Sequence, residues 1–224
     1  MSGIDVLATR LDRTELAARV AHDIPDGAVV NLGIGAPTLV ADVLPVDREI
    51  VLHTENGMLG MGGAPGHGGI DPDVINAGKQ AVTARRGASY FHHADSFAMM
   101  RGGHLDVCVL GALQVSQAGD LANWSTGAEG AIPAVGGAMD LALGAKRVVV
   151  MTDLLSRTGE SKLVVACTYP LTAAACVSRV YTDLAVFDIV DGRFAVVETM
   201  GAATVGWLED VMRLELIDAQ GDRS

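Results

Sequence analysis

Residues 28–38 read Ala28-Val29-Val30-Asn31-Leu32-Gly33-Ile34-Gly35-Ala36-Pro37-Thr38. A short, mostly apolar run ends at a Gly-x-Gly turn, and Pro37 then falls where the first turn of a helix accepts a proline. That helix is expected to reach about Leu44, and residues 50–53 form a second short apolar run. Strand, glycine turn, helix and strand in this order is the rhythm of a parallel sheet with helices on its faces. Upstream, Thr14 is expected to cap a helix whose Leu16, Ala17, Val20, Ala21 and Ile24 form one apolar stripe, ended by Pro25-Asp26-Gly27. Downstream, residues 107–110 and 147–151 read as strands, and residues 138–143 and 205–212 as helices. Asp191-Gly192, between apolar runs at 184–190 and 194–198, signals a hairpin. The expected fold class is therefore α/β: an open, mainly parallel sheet with helices on both faces and some antiparallel strands. No repeat and no polar linker divides residues 1–224, so one domain is expected.

The 224 residues are 50% hydrophobic and 19% charged, which excludes a largely disordered chain. A chain of this length can bury about 70% of its extended surface without disulfides or a structural metal. Sixteen basic against 27 acidic residues give a net charge of −11, a poor match to nucleic acid. Cys108, Cys167 and Cys176 cannot all pair within one chain, and read as free thiols in a reducing compartment. The opening residues lack the basic-then-apolar order of an export signal. No apolar run approaches the ~18 residues of a membrane span. A cytoplasmic protein without membrane contact is expected.

The chemistry concentrates around Val51-Leu52-His53-Thr54-Glu55-Asn56-Gly57. Glu55 follows an apolar strand, where open α/β sheets bind ligands, and precedes residues 57–69, which hold seven glycines and read as a loop that either approaches something closely or changes conformation. Glu55 is either a covalent nucleophile or an ordinary loop carboxylate capping backbone N–H groups. Gly33-Ile34-Gly35 lacks the third glycine of a dinucleotide fingerprint, because Thr38 stands there. It is either an anion- or carbonyl-binding turn or a packing turn. Gly136-Gly137 opens the helix at 138–143 and offers either oxyanion donors or a plain tight turn. The six histidines match no metal motif, so no metal is expected. Gly87-Ala88-Ser89-Tyr90-Phe91 is no nucleophile elbow. Trp124 is a core anchor or a pocket wall.

Several ordered segments together resemble one family. They are Asn31-Leu32-Gly33-Ile34-Gly35-Ala36-Pro37-Thr38, Thr54-Glu55-Asn56-Gly57-Met58-Leu59-Gly60-Met61-Gly62, Ile75-Asn76-Ala77-Gly78-Lys79, Ala94-Asp95-Ser96-Phe97-Ala98-Met99-Met100-Arg101-Gly102-Gly103-His104, Gly119-Asp120-Leu121-Ala122-Asn123-Trp124 and Gly136-Gly137-Ala138-Met139-Asp140-Leu141. Between residues 14 and 206 the chain resembles the B (beta) subunits of 3-oxoacid CoA-transferases, whose fold is an open α/β sheet. Residues 125–136 and 159–172 look closest to the 3-oxoadipate branch. The resemblance implies ping-pong transfer of coenzyme A from succinyl-CoA to 3-oxoadipate through a glutamyl-CoA thioester on Glu55. Acetoacetate or another short 3-oxoacid is the alternative acceptor, and acyl-CoA hydrolysis a third reading. Asn56, Gly33, Gly35, Gly136 and Gly137 would position substrate or its oxyanion. Lys79 and Arg101 could bind substrate or CoA, or could be structural cations. No permanent cofactor is implied, with the coenzyme A thioester entering as substrate. The implied partner is an alpha subunit, in a heterodimer or an A2B2 heterotetramer. Many relatives carry an acidic residue and a histidine after the strand at 147–151; here Thr152-Asp153-Leu154 follows, without the histidine.

Overall fold

The computed structural model describes residues 3–66, 69–128, 130 and 134–220, with side chains from Val6 onward. His67 and Gly68 of the glycine-rich stretch, and Glu129 and residues 131–133 of the segment tied to the 3-oxoadipate branch, lie outside the described residues. Two compact units interleave along the chain. One comprises Ala17–Gly111 and Gly137–Val148; the other comprises Met1–Leu16, Ala112–Gly136 and Val149–Ser224. No single linker separates them, because the chain passes between them more than once.

Helix α1 (Gly3–Ala8) precedes α2 (Arg13–Asp23). The cap of α2 is Asp12 rather than Thr14. Asp12 Oδ1 accepts from the N–H groups of Thr14 and Glu15, each at 2.8 Å, and Glu15 Oε2 accepts in return from the Asp12 N–H at 2.8 Å. This reciprocal capping box satisfies orphan donors that a threonine already inside the helix could not reach. The stripe Leu16, Ala17, Val20, Ala21 and Ile24 is buried as its spacing predicts.

The unit around Glu55 holds strands β1 (Val29–Leu32), β2 (Val51–Thr54), β3 (Met58–Met61), β4 (Ala84–Tyr90) and β5 (Val107–Leu110), ordered β5-β1-β2-β3-β4. β1 runs parallel to both β2 and β5, with Asn31 opposite His53 on one side and Cys108 on the other. All four residues of β5 are buried, as expected of a parallel strand covered on both faces. The segment after β1 is a 3₁₀ helix, Ala36–Asp42, where an α-helix to about Leu44 is predicted. Residues 57–69 are not one loop. Met58 and Met61 bury their side chains, and β3 pairs antiparallel with β2 and β4. Helix α3 (His93–Arg101) also belongs to this unit.

The other unit contains a small sheet of β6 (Gln114–Ser116), β7 (Leu121–Ala122) and, further along the chain, β9 (Leu163–Val164). Between β7 and β9 come α4 (Ala138–Gly144), which belongs to the Glu55 unit, and strand β8 (Arg147–Thr152). Then follow β10 (Val177–Thr182), β11 (Ala185–Val190), β12 (Arg193–Thr199), α5 (Val205–Met212) and β13 (Ile217–Asp218). Tyr181, Leu184, Phe187 and Phe194 are fully buried in this unit. The predicted hairpin forms between β11 and β12. Asp191 (φ 49°) and Gly192 (φ 70°) both adopt the left-handed conformation that a two-residue turn of this kind requires. The chain is thus mixed α/β: one unit has parallel strands at β1, β2 and β5 with antiparallel β3 and β4, and the other has antiparallel β10, β11 and β12. Among the described residues, no helix is long and apolar enough to cross a membrane.

Candidate active site

Strand β2 ends with His53 and Thr54 buried, and the chain turns at once through Glu55, Asn56 and Gly57 into β3. The turn is tight and well tied. The Gly57 N–H donates to the Thr54 carbonyl at 3.1 Å, the Phe91 N–H donates to the Gly57 carbonyl at 3.0 Å, and the Met58 N–H donates to Thr54 Oγ1 at 3.1 Å. Gly57 sits at φ 112°, and any Cβ there would collide with the Phe91 carbonyl. Only glycine fits both restrictions. Glu55 therefore projects from a fixed hairpin turn rather than from a pliant loop.

The Glu55 side chain is half-buried, and its carboxylate lies against Gly137, at the start of α4. A Cβ on Gly137 would collide with Glu55 Oε2 and would stand 3.2 Å from Phe97 Cζ. Gly137 thus leaves open the space that the carboxylate occupies. Burial raises the Glu55 pKa above its ordinary 4.5, the charge of nearby His93 opposes the rise, and Asp140 adds to it. Both neighbours are held. His93 packs against Phe97 with ring centroids 4.7 Å apart, and Arg101 Nε donates to Asp140 Oδ1 at 2.7 Å while its guanidinium lies 5.5 Å over the Phe97 ring.

The other candidates are placed as follows. Asn56 is exposed, and its Nδ2 donates to the Ile75 carbonyl at 2.9 Å, tying the Glu55 turn to the next loop. That loop closes around Asn76, whose Oδ1 accepts from the Gln80 N–H at 3.0 Å, and carries Lys79 exposed at φ 62°. A Cβ on Gly78 would stand 3.6 Å from Ile34 Cγ2, so the Lys79 turn adjoins the Gly33–Gly35 turn. The Gly33 N–H donates to the Val109 carbonyl at 2.8 Å and is engaged with β5 rather than offered to a ligand. Gly35 caps the 3₁₀ helix at φ 100°. Gly136, at φ 57°, precedes Gly137 and belongs to the other unit. Arg101 is bound to Asp140, its side chain 66% exposed. The Asn56 turn is thus tied to the Lys79 loop by a hydrogen bond, the Gly33–Gly35 turn lies beside that loop, and Gly137 meets Glu55 itself.

Sequence reading missed His93, Phe97 and Asp140 as neighbours of Glu55. A signal existed: His93, Phe97 and Arg101 recur every four residues and so share one face of α3. It missed a buried layer as well. Asn31, His53 and Ser96 are 2%, 1% and 0% exposed and are hydrogen-bonded to one another beneath the turn. Burial pushes the His53 pKa down to about 4, so the ring is neutral at physiological pH. Trp124, in the other unit, donates from Nε1 to the Leu171 carbonyl at 3.2 Å.

A family model described as Coenzyme A transferase matches residues 13–200. The chain is 66% identical over 192 residues to the B subunit of the 3-oxoadipate CoA-transferase of Pseudomonas putida, a match that spans 86% of this chain and 90% of that protein. It is 54% identical over 210 residues to the B subunit of the 3-oxoadipate CoA-transferase of Acinetobacter baylyi, spanning 94% of this chain and 97% of that protein. Among solved structures, the acyl-CoA transferase apoenzyme of Escherichia coli O157:H7 is similar with a TM-score of 0.71 at 20% identity. That match covers 94% of this chain but 43% of the E. coli chain, so the present chain spans less than half of its length. At such low identity the likeness is one of fold.

Proposed function

This chain belongs to the coenzyme A transferase family, and from that premise we propose that it is the beta subunit of an enzyme that moves coenzyme A from succinyl-CoA to 3-oxoadipate. The observation that carries the reading is the Glu55 carboxylate, fixed on a tight turn, half-buried and left room by Gly137. Names of relatives at 66% and 54% identity support the acceptor acid.

In the proposed reaction, Glu55 attacks the thioester carbonyl of succinyl-CoA. The C–S bond breaks, CoA leaves as thiolate, and a mixed anhydride joins succinate to the glutamyl group. The thiolate then attacks the glutamyl carbonyl, succinate departs as carboxylate, and a glutamyl-CoA thioester remains. The 3-oxoadipate carboxylate attacks that thioester and expels the thiolate again. The thiolate finally attacks the 3-oxoadipyl carbonyl of the new anhydride, giving 3-oxoadipyl-CoA and free Glu55. The activated acyl bond is kept through every step, so the scheme uses no redox or metal cofactor.

Burial helps the attacking carboxylate, because a raised pKa accompanies stronger nucleophilicity, and the fixed turn holds it in line. Each attack creates an oxyanion. The backbone at Gly136-Gly137 and the Asn56 side chain are this chain's candidate donors, with the Gly35 turn lining the approach. Gly33 shapes that turn by packing on β5. Lys79 is this chain's cation for a distal carboxylate or a CoA phosphate, whereas Arg101 acts through Asp140. An alpha subunit completes the site in a heterodimer or an A2B2 assembly in the cytoplasm, where acyl-CoA thioesters are at hand.

The test is acceptor-dependent transfer from succinyl-CoA by this chain copurified with its alpha subunit. Transfer to 3-oxoadipate should exceed transfer to acetoacetate, and Glu55→Gln should abolish both while the complex still assembles. Near-parental turnover in Glu55→Gln would remove the nucleophile. A preference for acetoacetate would keep the chemistry and replace the acceptor.

A further inference from the structure

The buried layer under Glu55 has a direction that its hydrogen bonds define. Asn31 Nδ2 lies 3.2 Å from the His53 carbonyl oxygen, which can only accept, so the amide nitrogen is the atom that faces His53. The same Nδ2 lies 3.0 Å from His53 Nδ1. An amide nitrogen can only donate, so Nδ1 accepts and the ring proton sits on Nε2. His53 Nε2–H then donates to Ser96 Oγ at 3.0 Å, which leaves the Ser96 hydroxyl to donate to the Thr54 carbonyl at 3.1 Å. The Gly57 N–H donates to that same carbonyl at 3.1 Å. Glu55 and Asn56 are the two residues between Thr54 and Gly57.

We propose that Asn31, His53 and Ser96 form a one-way hydrogen-bond relay that positions Glu55 by fixing the Thr54 carbonyl at the root of its turn. All three are positioning residues; none touches the reacting atoms. β1 and β2 set the first link through the Asn31–His53 register, and α3 supplies the last through Ser96. The ring is excluded from solvent and lies 6.2 Å from Phe91 at 23° between planes, so it has little freedom to change partner. The relay couples the central parallel strands to the helix that also carries His93 and Phe97, and so ties the carboxylate to its own pocket wall. This inference rests on Glu55 as the nucleophile.

The experiment uses the complex of this chain with its alpha subunit, mixed with succinyl-CoA alone. Rapid quenching and mass spectrometry follow the glutamyl-CoA adduct at Glu55, alongside KM for succinyl-CoA and the melting temperature. Ser96→Ala removes the last link and should slow adduct formation about ten- to a hundredfold with KM held, the cost of a misplaced reacting group. Asn31→Leu keeps the bulk but removes the donor to His53 Nδ1, so nothing holds the ring proton on Nε2, and it should slow the step likewise. His53→Gln keeps an acceptor for Asn31 and a donor for Ser96 and should stay near the parental rate. Parental rates in Ser96→Ala and Asn31→Leu, or rates that simply follow melting temperature across the set, overturn the relay. Should those two variants fail to assemble, a His53→Gln complex that assembles but forms adduct a hundredfold slower than the parent also overturns it, whereas a near-parental rate supports it. Absence of any adduct on the parent's Glu55 overturns the nucleophile and the relay together, whereas a parental adduct with unaffected variants overturns the relay alone.

Discussion

Glu55 holds its charge against its surroundings. Burial raises its pKa, His93 pulls it down and Asp140 pushes it up. A carboxyl with a raised folded pKa retains its proton in the native chain at pH values where the unfolded chain has released it. Stability then falls as pH rises through the window between the ordinary 4.5 and the raised value, and the loss persists above it. Glutamine has no such titration. Glu55→Gln should therefore melt above the parent at neutral pH, with the gap closing as pH falls toward 4.5. Thermal unfolding of both forms across that range measures it. A gap that widened on acidification would mean that Glu55 is stabilised as an anion, and would reverse the assignment of burial as the dominant influence.

At the scale of elements, the capping box of α2 separates what the sequence suggests from what the chain does. Asp12 serves two N–H groups and Glu15 returns a bond, whereas Thr14 lies within the helix. Asp12→Ala should cost about 1 kcal/mol of stability, and Thr14→Ala should be neutral or slightly stabilising because alanine is the better interior helix former. Equilibrium denaturation of the two variants tests it; equal losses would return the cap to Thr14. The same contrast explains which elements were legible. β1, β5 and the β11–β12 hairpin announce themselves by dense apolar runs and an Asp-Gly turn. β4 reads Ala84-Arg85-Arg86-Gly87-Ala88-Ser89-Tyr90, almost wholly exposed at a sheet edge, and so has no buried face to leave a period of two. β3 was hidden by its glycine-rich surroundings. Glu55 was legible from its place after a strand. Gly137 was named as a candidate, but its contact with Glu55 was not legible, nor was Phe97, because tertiary packing brings them together across 82 and 42 residues of chain.

For the whole molecule, charge and incompleteness point the same way. The chain carries −11, yet the proposed substrates are a dicarboxylic acid and a phosphate-bearing thioester, both anions that such a field repels. Around Glu55 the chain supplies His93, while Arg101 is engaged with Asp140. Burial raises the carboxylate pKa, and donors or cations from a partner would favour the ionised form that attacks. An alpha subunit that brings them would lower the Glu55 pKa and admit the substrates at once. The isolated chain should accordingly transfer coenzyme A at a rate near background. Titrating it with separately prepared alpha subunit should restore turnover saturably, with the acid limb of the pH–rate profile below the Glu55 pKa measured in the isolated chain. Full turnover by the chain alone would refute the two-subunit site. Restored turnover with an unmoved Glu55 pKa would keep the partnership but assign its benefit to substrate binding rather than to the nucleophile.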